Sequence, residues 1–268
     1  MFVHGFSEHI NRYNEFFPKL AAQGIHVFAW DQRGWGRSAL DKALWGHTGP
    51  TTQVIADVVA FLKDKASDKS APLFVMGHSM GGGQVATLMA DPAHADLLAG
   101  VRGWLLEAPF IGFTPSEEPS ALKIVLGRLV GRLLPKQQLR HEVLMESLSR
   151  DKAWVESVRS DPLCHNTGTL EGLASLLDRT AALSSGTSKV HKNVRSIWLG
   201  HGDGDMTCSY SKAMTWLEQQ TGVEDKTAKT YEGGYHQLHA DFCKDEFAAD
   251  VTGWILKRAV EAPVEAKL

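Results

Sequence analysis

With 268 residues and a formal net charge of −3, the chain is long enough for one large domain with a substantial core, and its balanced charge does not favour a nucleic-acid partner. Its three cysteines are too few and too widely spaced for a disulfide framework or a zinc pattern, which favours an intracellular, cytoplasmic protein. No apolar run approaches the roughly 20 residues that a membrane-spanning helix needs.

The amino-terminal third of the sequence alternates between strand and helix patterns. Residues 1–5 read as the end of a buried strand that runs into a glycine turn. Because a strand of this kind normally has neighbours before it, we expect the amino-terminal strands of the sheet to be missing from this chain. A helix is predicted over residues 11–22, a strand over 25–30 and a second helix over 54–62.

A short motif follows the next apolar run. Residues 73–76 have the pattern of a buried strand, and Gly77-His-Ser-Met-Gly81 then matches G-x-S-x-G ahead of a helical pattern. A sharp strand-to-helix turn strains its central residue and requires glycine on either side. We therefore predict that Ser79 is a nucleophile and that the Met80 N–H, at a helix N-terminus, stabilises an oxyanion. The alternative is a glycine-rich turn with an incidental serine.

The alternation stops after a strand predicted over residues 103–108. Residues 110–189 show helical patterns and no convincing strand, so we predict a helical insertion. The predicted helices of this insertion cover residues 121–134, 139–149 and 170–183.

The alternation resumes after the insertion and implies a mostly parallel sheet with helices on both faces. The predicted elements are a strand over 194–199, a helix over 209–220, a strand over 226–231 and a helix over 242–258. The predicted organisation is therefore a core of residues 1–109 and 190–260, a cap of residues 110–189 and a flexible tail of residues 261–268.

Two loops after the insertion carry candidate partners for Ser79. Polar residues that follow the carboxyl ends of parallel strands converge at one edge of the sheet. One loop offers Asp203 and Asp205, and the other offers His236 and His239. The chain order Ser79, Asp205, His236 is the one expected for this type of turn, with His236 as the base and Asp205 as the orienting acid. The H-x-x-H spacing of the two histidines lacks a third ligand, so we expect no metal.

Four segments together resemble a known family. They are His4-Gly-Phe-Ser-Glu-His-Ile-Asn-Arg-Tyr13, Gly77-His-Ser-Met-Gly-Gly82, Ser160-Asp-Pro-Leu163 and Tyr231-Glu-Gly-Gly-Tyr-His-Gln-Leu-His239. This combination looks like the monoacylglycerol lipases of the α/β-hydrolase fold, particularly the fungal monoglyceride lipases, over nearly the whole chain. The resemblance implies a serine esterase or lipase that cleaves monoacylglycerol to fatty acid and glycerol without a cofactor.

The resemblance also implies roles for individual residues. Matched motif by motif, Ser79 becomes the nucleophile, His236 the base and Asp205 the orienting acid. The backbone N–H groups of Phe6 and Met80 become the oxyanion hole. The remaining matches are to a polar pocket for the glycerol head, at Glu8, Arg12 and His239, and to a pocket cysteine, at Cys208.

The chain departs from the family pattern at three points. The strands that precede His4-Gly5 in the family are absent, which indicates a truncated sequence. Phe6 stands where animal members have a small residue, which predicts a narrower acyl site. One extra residue separates Asp205 from His236 relative to animal members, which keeps Asp203 as the alternative acid.

The first predicted cap helix has an apolar face flanked by Arg128 and Arg132. This arrangement suits a helix that lies on a membrane or lipid-droplet surface, where the protein would associate peripherally. The alternative is a cap helix packed on the body with its basic edge in water. The apolar face consists of Leu122, Leu126, Leu129, Val130 and Leu133.

Other functions are consistent with the same motifs. A lysophospholipase, a general carboxylesterase or an acyltransferase could use the same scaffold and nucleophile. A different class of protein is an inactive relative that binds lipid without cleaving it. Labelling by a fluorophosphonate and the choice among ester substrates discriminate these alternatives.

Overall fold

The computed structural model of the chain describes residues 1–68, 70–115, 117–141 and 143–260. The predicted tail of residues 261–268 lies outside these ranges. In chain order, the strands are β1 (Phe2–Val3), β2 (Leu73–His78), β3 (Val101–Glu107), β4 (Gln138–Arg140), β5 (Thr167–Thr169), β6 (Ser196–Gly202) and β7 (Asp225–Tyr231).

Helices separate most of these strands. None of the helices in the described ranges combines the length and the hydrophobicity that crossing a bilayer requires. In chain order, the helices are α1 (Phe16–Ala21), α2 (Thr51–Ala66), α3 (Met80–Met89), α4 (Ala95–Ala99), α5 (Ala121–Leu133), α6 (Lys152–Arg159), α7 (Leu170–Ser184), α8 (Tyr210–Glu218) and α9 (Lys244–Ala259).

The central sheet is parallel, with strand order β1-β2-β3-β6-β7 in the described residues. Helices α2, α3 and α8 contribute to the hydrophobic core on one face, and α1 and α9 contribute to the core on the other. The prediction of a parallel sheet with helices on both faces is confirmed. All these strands run in the same direction, so the loops after their carboxyl ends lie along one edge.

Strand β3 shows why two cores form. Its side chains alternate between the faces of the sheet, as the period of a strand requires. Trp104 and Leu106 lie in the core beside α2 and α3, whereas Leu105 lies in the core beside α9. All three are fully buried. A strand buried on both faces reads as a continuous apolar run, which is the pattern its sequence shows.

The strand predicted over residues 25–30 is not a regular strand in the structure. This segment makes one isolated bridge, between Ala29 and Phe2, and the Phe28 carbonyl accepts a hydrogen bond from the Phe2 N–H. Its neighbour β1 comprises two residues, which offer too few backbone groups for a longer ladder. The β-rich composition of the segment was therefore not sufficient to predict its structure.

The segment between β3 and β6 differs from the predicted all-helical insertion. Helices α5 and α7 are present, but the helix predicted over residues 139–149 is wrong. Strand β4 occupies its start and pairs in antiparallel fashion with β5, and a 3₁₀ turn follows at Met145–Ser147. A further helix, α6, begins after Asp151, whose carboxylate accepts a hydrogen bond from the Trp154 N–H. Pairing between residues this far apart in sequence cannot be inferred from local periodicity.

Candidate active site

Ser79 lies at a sharp turn between β2 and α3. Its backbone has φ 53° and ψ −119°, a conformation that a residue with a side chain rarely adopts. A Cβ atom on Gly77 would lie 2.6 Å from the Gly81 carbonyl oxygen, and one on Gly81 would lie 2.2 Å from the Val3 carbonyl oxygen. Both positions therefore require glycine, and the strained turn holds the Ser79 side chain at the edge of the sheet.

His236 and Asp205 meet Ser79 at this edge. The His236 Nε2 atom lies 2.8 Å from Ser79 Oγ, and its Nδ1 atom lies 2.8 Å from Asp205 Oδ2. Asp205 follows β6, and His236 lies in the loop that follows β7. The backbone N–H groups of Thr207 and Cys208 donate to Asp205 Oδ1 at 2.7 and 3.0 Å, which orients the carboxylate toward the imidazole.

The structure places Asp203 elsewhere. Its carboxylate accepts a hydrogen bond from the Gly233 N–H at 2.6 Å, at an exposed position. Sequence order alone left both aspartates as candidates. The local turn after β6 brings Asp205 to His236 and directs Asp203 to the neighbouring loop.

The pKa values of the His236–Asp205 pair move in opposite directions. Burial raises the pKa of the Asp205 carboxyl, but the imidazole of His236 and its hydrogen bond lower it below the usual value. Burial lowers the pKa of His236, but the Asp205 carboxylate raises it well above the usual value. A proton that His236 accepts is therefore stabilised by a buried negative charge next to it.

Two backbone N–H groups are free to bind an anion beside Ser79. Neither the Phe6 nor the Met80 N–H donates a hydrogen bond to any atom in the described part of the chain. Met80 opens α3, where the first N–H groups of a helix have no intrahelical partner and favour negative charge. Phe6 precedes Ser7, which has φ 60° and whose Oγ accepts a hydrogen bond from the Asn166 N–H at 2.7 Å. This contact ties the loop to the 110–189 segment.

A cavity of about 840 Å³ opens beside these groups. Ser79, Met80, Phe6 and His236 all line it, so the reactive atoms face a space large enough for a small lipid. Most of the remaining lining is apolar and comes from the 110–189 segment. It includes Phe110, Phe113, Ile124, Leu139, Val143, Leu144, Met145, Leu148, Val158, Leu170, Leu173, Leu176 and Leu177.

Glu8 lines the cavity, but protein donors already surround its carboxylate. Its Oε2 atom accepts hydrogen bonds from the Gly5 N–H at 2.8 Å and from the Tyr13 hydroxyl, and its Oε1 atom accepts one from the Gln237 amide. Burial alone would raise the pKa of Glu8, but the nearby His78 imidazole and the hydrogen bonds from Tyr13 and Gln237 lower it to about 2. Glu8 is thus an anion that joins the loop before Phe6 to the loop after His236.

His239 differs from the position expected for a head-group ligand. It is not among the residues that line the cavity. Its ring packs against Tyr13 at a centroid distance of 4.4 Å, and its Nδ1 atom lies 2.7 Å from Glu107 Oε1. His236 and His239 thus contact different carboxylates, which separates the two histidines of the H-x-x-H motif.

Arg12 lines the cavity and is fixed by neighbours on α6 and just after it. Its guanidinium donates to Ser157 Oγ at 2.7 Å and to Asp161 Oδ2 at 3.3 Å, and it lies 5.2 Å from the centre of the Trp154 ring. Asp161 also lies 2.8 Å from the His9 Nε2 atom. A cation is therefore held beside the cavity with part of its charge neutralised.

The Cys208 thiol is buried at the cavity wall next to Asp205 and His236. Burial raises the pKa of this thiol, although the His236 imidazole opposes the shift. Cys208 is therefore a neutral thiol at physiological pH. Cys164 also lines the cavity, and burial raises the pKa of its thiol as well.

In the described ranges, three groups of side chains bring enough ligand atoms together to raise the question of a metal. Each contains an imidazole within hydrogen-bonding distance of a carboxylate. The distances are 2.8 Å between His9 and Asp161, 2.7 Å between His239 and Glu107, and 2.8 Å between His236 and Asp205. A bound ion would have to displace that hydrogen bond in every case. The groups are His9 with Asp161 and Cys164, His78 with Glu107 and His239, and Asp205 with Cys208 and His236.

Sequence reasoning missed Gln237 and Glu107. Gln237 is a buried polar residue next to the predicted base, and Glu107 is a charge at the carboxyl end of the apolar run of β3. Such a charge at the edge where parallel strands end was a usable signal, because that edge carries the polar loops of this kind of sheet.

The sequence matches one protein family and several monoglyceride lipases. The profile of the protein family described as Serine aminopeptidase, S33, matches residues 1–242. The chain is 32% identical over 266 residues to a putative monoglyceride lipase of Schizosaccharomyces pombe, covering 97% of this chain and 67% of that protein. It is 28% identical over 270 residues to the monoglyceride lipase of Mus musculus, covering 97% of this chain and 82% of that protein.

A solved structure shares the fold. It is a soluble variant of monoglyceride lipase from Saccharomyces cerevisiae in complex with a substrate analog, with a TM-score of 0.86 and 21% sequence identity. The match covers 97% of this chain and 86% of that chain.

Proposed function

Since this chain belongs to the Serine aminopeptidase, S33, family and to the monoglyceride lipase family of the α/β-hydrolase fold, we propose that it cleaves monoacylglycerol to a fatty acid and glycerol. The observation that carries the proposal is the position of Ser79. Its Oγ atom lies 2.8 Å from His236 Nε2 at the wall of a large, mainly apolar cavity. An apolar cavity suits an acyl chain, and this serine–imidazole contact suits acyl transfer.

The proposed mechanism uses the geometry of the site directly. His236 Nε2 accepts the proton of Ser79 as Oγ attacks the ester carbonyl carbon, and Asp205 stabilises the resulting imidazolium. The Phe6 and Met80 N–H groups donate to the oxyanion. The tetrahedral intermediate then collapses, and glycerol leaves with the proton from His236. Water, deprotonated by His236, attacks the acyl-enzyme and releases the fatty acid.

We assign recognition of the glycerol head chiefly to Arg12. Arg12 lines the cavity, and Glu8, Gln237 and His236 line it as well. Three protein donors already bond to the Glu8 carboxylate, so its main contribution is to hold the surrounding loops. Hydroxyl groups of the substrate would find a cation and a small polar surface beside the reacting ester.

Replacing Arg12 with alanine should lower kcat/KM for monoacylglycerol by roughly ten- to a hundredfold, the loss expected when a hydroxyl-binding group is removed. The same variant should lose much less activity on p-nitrophenyl esters, which carry no glycerol. Steady-state kinetics on both substrates measure the difference.

Arg33→Ala is the matched control for this comparison. Arg33 also pairs with an aspartate, at 2.7 Å, but on the surface and away from the cavity. It should behave as the unaltered chain on both substrates. Equal losses for Arg12→Ala on the two substrates would contradict head-group recognition and assign Arg12 to support of α6.

We propose that residues 110–189 form a cap that meets lipid. Helix α5 contributes Ile124, Gly127 and Arg128 to the cavity wall and packs against α7. Its outer face is apolar, with side chains between 42% and 75% exposed, which is unusual for leucine and valine on a water-facing helix. These side chains are Leu122, Val125, Leu126, Leu129, Val130 and Leu133.

Replacing Leu126 and Leu129 together with serine should weaken binding to anionic liposomes, because it removes apolar surface that would enter the interface. Co-sedimentation with phosphatidylserine-containing vesicles measures the change. Leu40 and Leu44, exposed before α2, provide a matched pair of leucine-to-serine changes outside α5. Unchanged partitioning of the folded α5 variant would show instead that this face does not contact lipid.

A substrate panel tests the proposed reaction itself. The expected order is monoacylglycerol well above diacylglycerol and triacylglycerol, with slower cleavage of lysophosphatidylcholine and of aminoacyl p-nitroanilides. Preference for lysophosphatidylcholine would assign a lysophospholipase. Similar rates on esters of different alcohols would assign a general carboxylesterase. Acyl transfer to added alcohol in place of hydrolysis would assign an acyltransferase. A folded protein that no fluorophosphonate labels would be an inactive, lipid-binding relative.

A further inference from the structure

Glu107 is a buried carboxylate that the proposed mechanism does not use. It ends β3, is fully buried and does not line the cavity. A buried carboxylate is retained only where the surrounding groups compensate for its loss of water. The groups around it here belong to the two parts of the site that must meet, the turn that carries Ser79 and the loop that carries His236.

Glu107 contacts the Ser79 turn through its backbone. Its carbonyl oxygen accepts a hydrogen bond from the Ser79 N–H at 3.0 Å. This contact continues the pairing of β3 with β2 into the turn, where Ser79 has a strained conformation. The backbone of Glu107 therefore helps to fix the position of Ser79 directly.

Glu107 contacts the base loop through its side chain. Its Oε1 atom accepts a hydrogen bond from the His239 N–H at 3.1 Å and lies 2.7 Å from His239 Nδ1. An ionised carboxylate only accepts hydrogen bonds, so Nδ1 of His239 carries the proton that it donates. His239 lies three residues after His236, and its ring is fixed against Tyr13.

Other contacts hold the near end of the same loop. The Tyr235 N–H donates to Asp241 Oδ2 at 2.9 Å, and the Gln237 N–H donates to the Leu148 carbonyl at 2.8 Å. The loop is thus held both close to His236 and at His239. The contacts at His239 are made by Glu107, whose carbonyl oxygen also accepts the hydrogen bond from the Ser79 N–H.

We propose that Glu107 is a positioning residue that acts through His239 to hold His236 at hydrogen-bonding distance from Ser79. The inference rests on the proposed function, in which these two residues are the base and the nucleophile. A misplacement of about 1 Å between reacting groups can lower the rate on the order of a hundredfold. The buried contacts of Glu107 with the Ser79 turn and with the His236 loop should therefore have a measurable effect on kcat.

Glu107→Leu removes both the charge and the acceptor at similar volume. We expect it to lower kcat for p-nitrophenyl butyrate, counted per fluorophosphonate-labelled site, by roughly 10- to 100-fold with KM within about threefold. Glu107→Gln keeps an acceptor for the His239 N–H and should recover most of that loss. His239→Phe keeps the ring against Tyr13 and removes the Nδ1–H donor, so it should lower kcat to a similar extent.

The double variant Glu107→Leu with His239→Phe separates positioning from stability. It removes the Nδ1–H donor together with its acceptor, so its Tm should exceed that of Glu107→Leu, in which that buried donor is left unpaired. Its kcat should stay as low as that of Glu107→Leu, because that change already removes both hydrogen bonds between Glu107 and His239. Asp225→Asn is the control, since Asp225 forms an ion pair with Arg258 at the other end of β7 and should affect Tm without affecting kcat.

Two results would overturn the inference: kcat within threefold of the unaltered chain in Glu107→Leu, or losses in the single variants that multiply in the double variant. If Glu107→Leu does not fold, Glu107→Gln and His239→Phe decide the question by the same measurements. Fluorophosphonate labelling of Ser79→Ala distinguishes failure of the proposed function from failure of the inference about Glu107. Labelling that persists there would remove the proposed function itself, whereas its loss with unaltered kcat in the Glu107 variants would remove only the inference.

Discussion

Ser79→Ala is expected to abolish fluorophosphonate labelling and to lower esterase activity by about a millionfold, because the nucleophile and its base act as a unit. The remaining rate would come from binding and from the Phe6 and Met80 N–H groups. The fold should survive, since the hydrogen bond that the Ser79 hydroxyl makes with His236 joins two groups of the site itself. Active-site labelling, ester hydrolysis and circular dichroism of the purified variant measure these outcomes together.

Ser196→Ala is a suitable control for that experiment. Ser196 is also buried, but it begins β6 at the opposite edge of the sheet. Its replacement should leave labelling and turnover unchanged. Activity of Ser79→Ala within tenfold of the unaltered chain would move the nucleophile to another side chain of the cavity.

Local sequence was sufficient to predict the Ser79 turn because sterics decide its structure. Gly77 and Gly81 lie where a Cβ would meet backbone oxygen atoms, so few sequences other than G-x-S-x-G can form the turn. The parallel sheet was predictable for a similar reason, since its central strands β2, β3 and β6 are largely buried on both faces and read mainly as apolar runs.

Features that depend on distant partners were not predictable in the same way. Strand β4 forms because residues 167–169 pair with it, and local periodicity over residues 139–149 indicated a helix instead. His239 matched a head-group position by motif, yet its ring turns to Glu107, a residue 132 positions away. The identity of that partner depends on how β3 and the loop after β7 pack, which a single sequence does not reveal.

The choice between Asp203 and Asp205 shows the same limit within one loop. Both aspartates follow β6, so the convergence of strand ends predicted an acid at this place without selecting one. The conformation of the turn determines which aspartate contacts His236. The Thr207 and Cys208 N–H groups donate to one oxygen of Asp205 and so direct its other oxygen to His236. Asp203 instead accepts the Gly233 N–H.

Asp205→Asn should lower kcat/KM by roughly 10³- to 10⁴-fold, whereas Asp203→Asn should change it by less than about threefold. An asparagine preserves the shape of the side chain but removes the charge that stabilises the His236 imidazolium. Its amide can also donate to Nδ1, which would leave the proton on Nε2, where Ser79 needs an acceptor. Asp203→Asn loses charge at an exposed hydrogen bond and serves as the matched control.

The pH dependence of the Asp205→Asn variant provides a second, independent readout. The Asp205 carboxylate raises the pKa of His236, so its removal should lower that pKa. The base form of His236 is the active one, and activity falls as pH drops through its pKa. The acidic limb of the kcat/KM profile should therefore move to lower pH in Asp205→Asn and stay in place in Asp203→Asn. The reverse ranking of the two variants, in rate and in the shift of this limb, would make Asp203 the acid that orients His236.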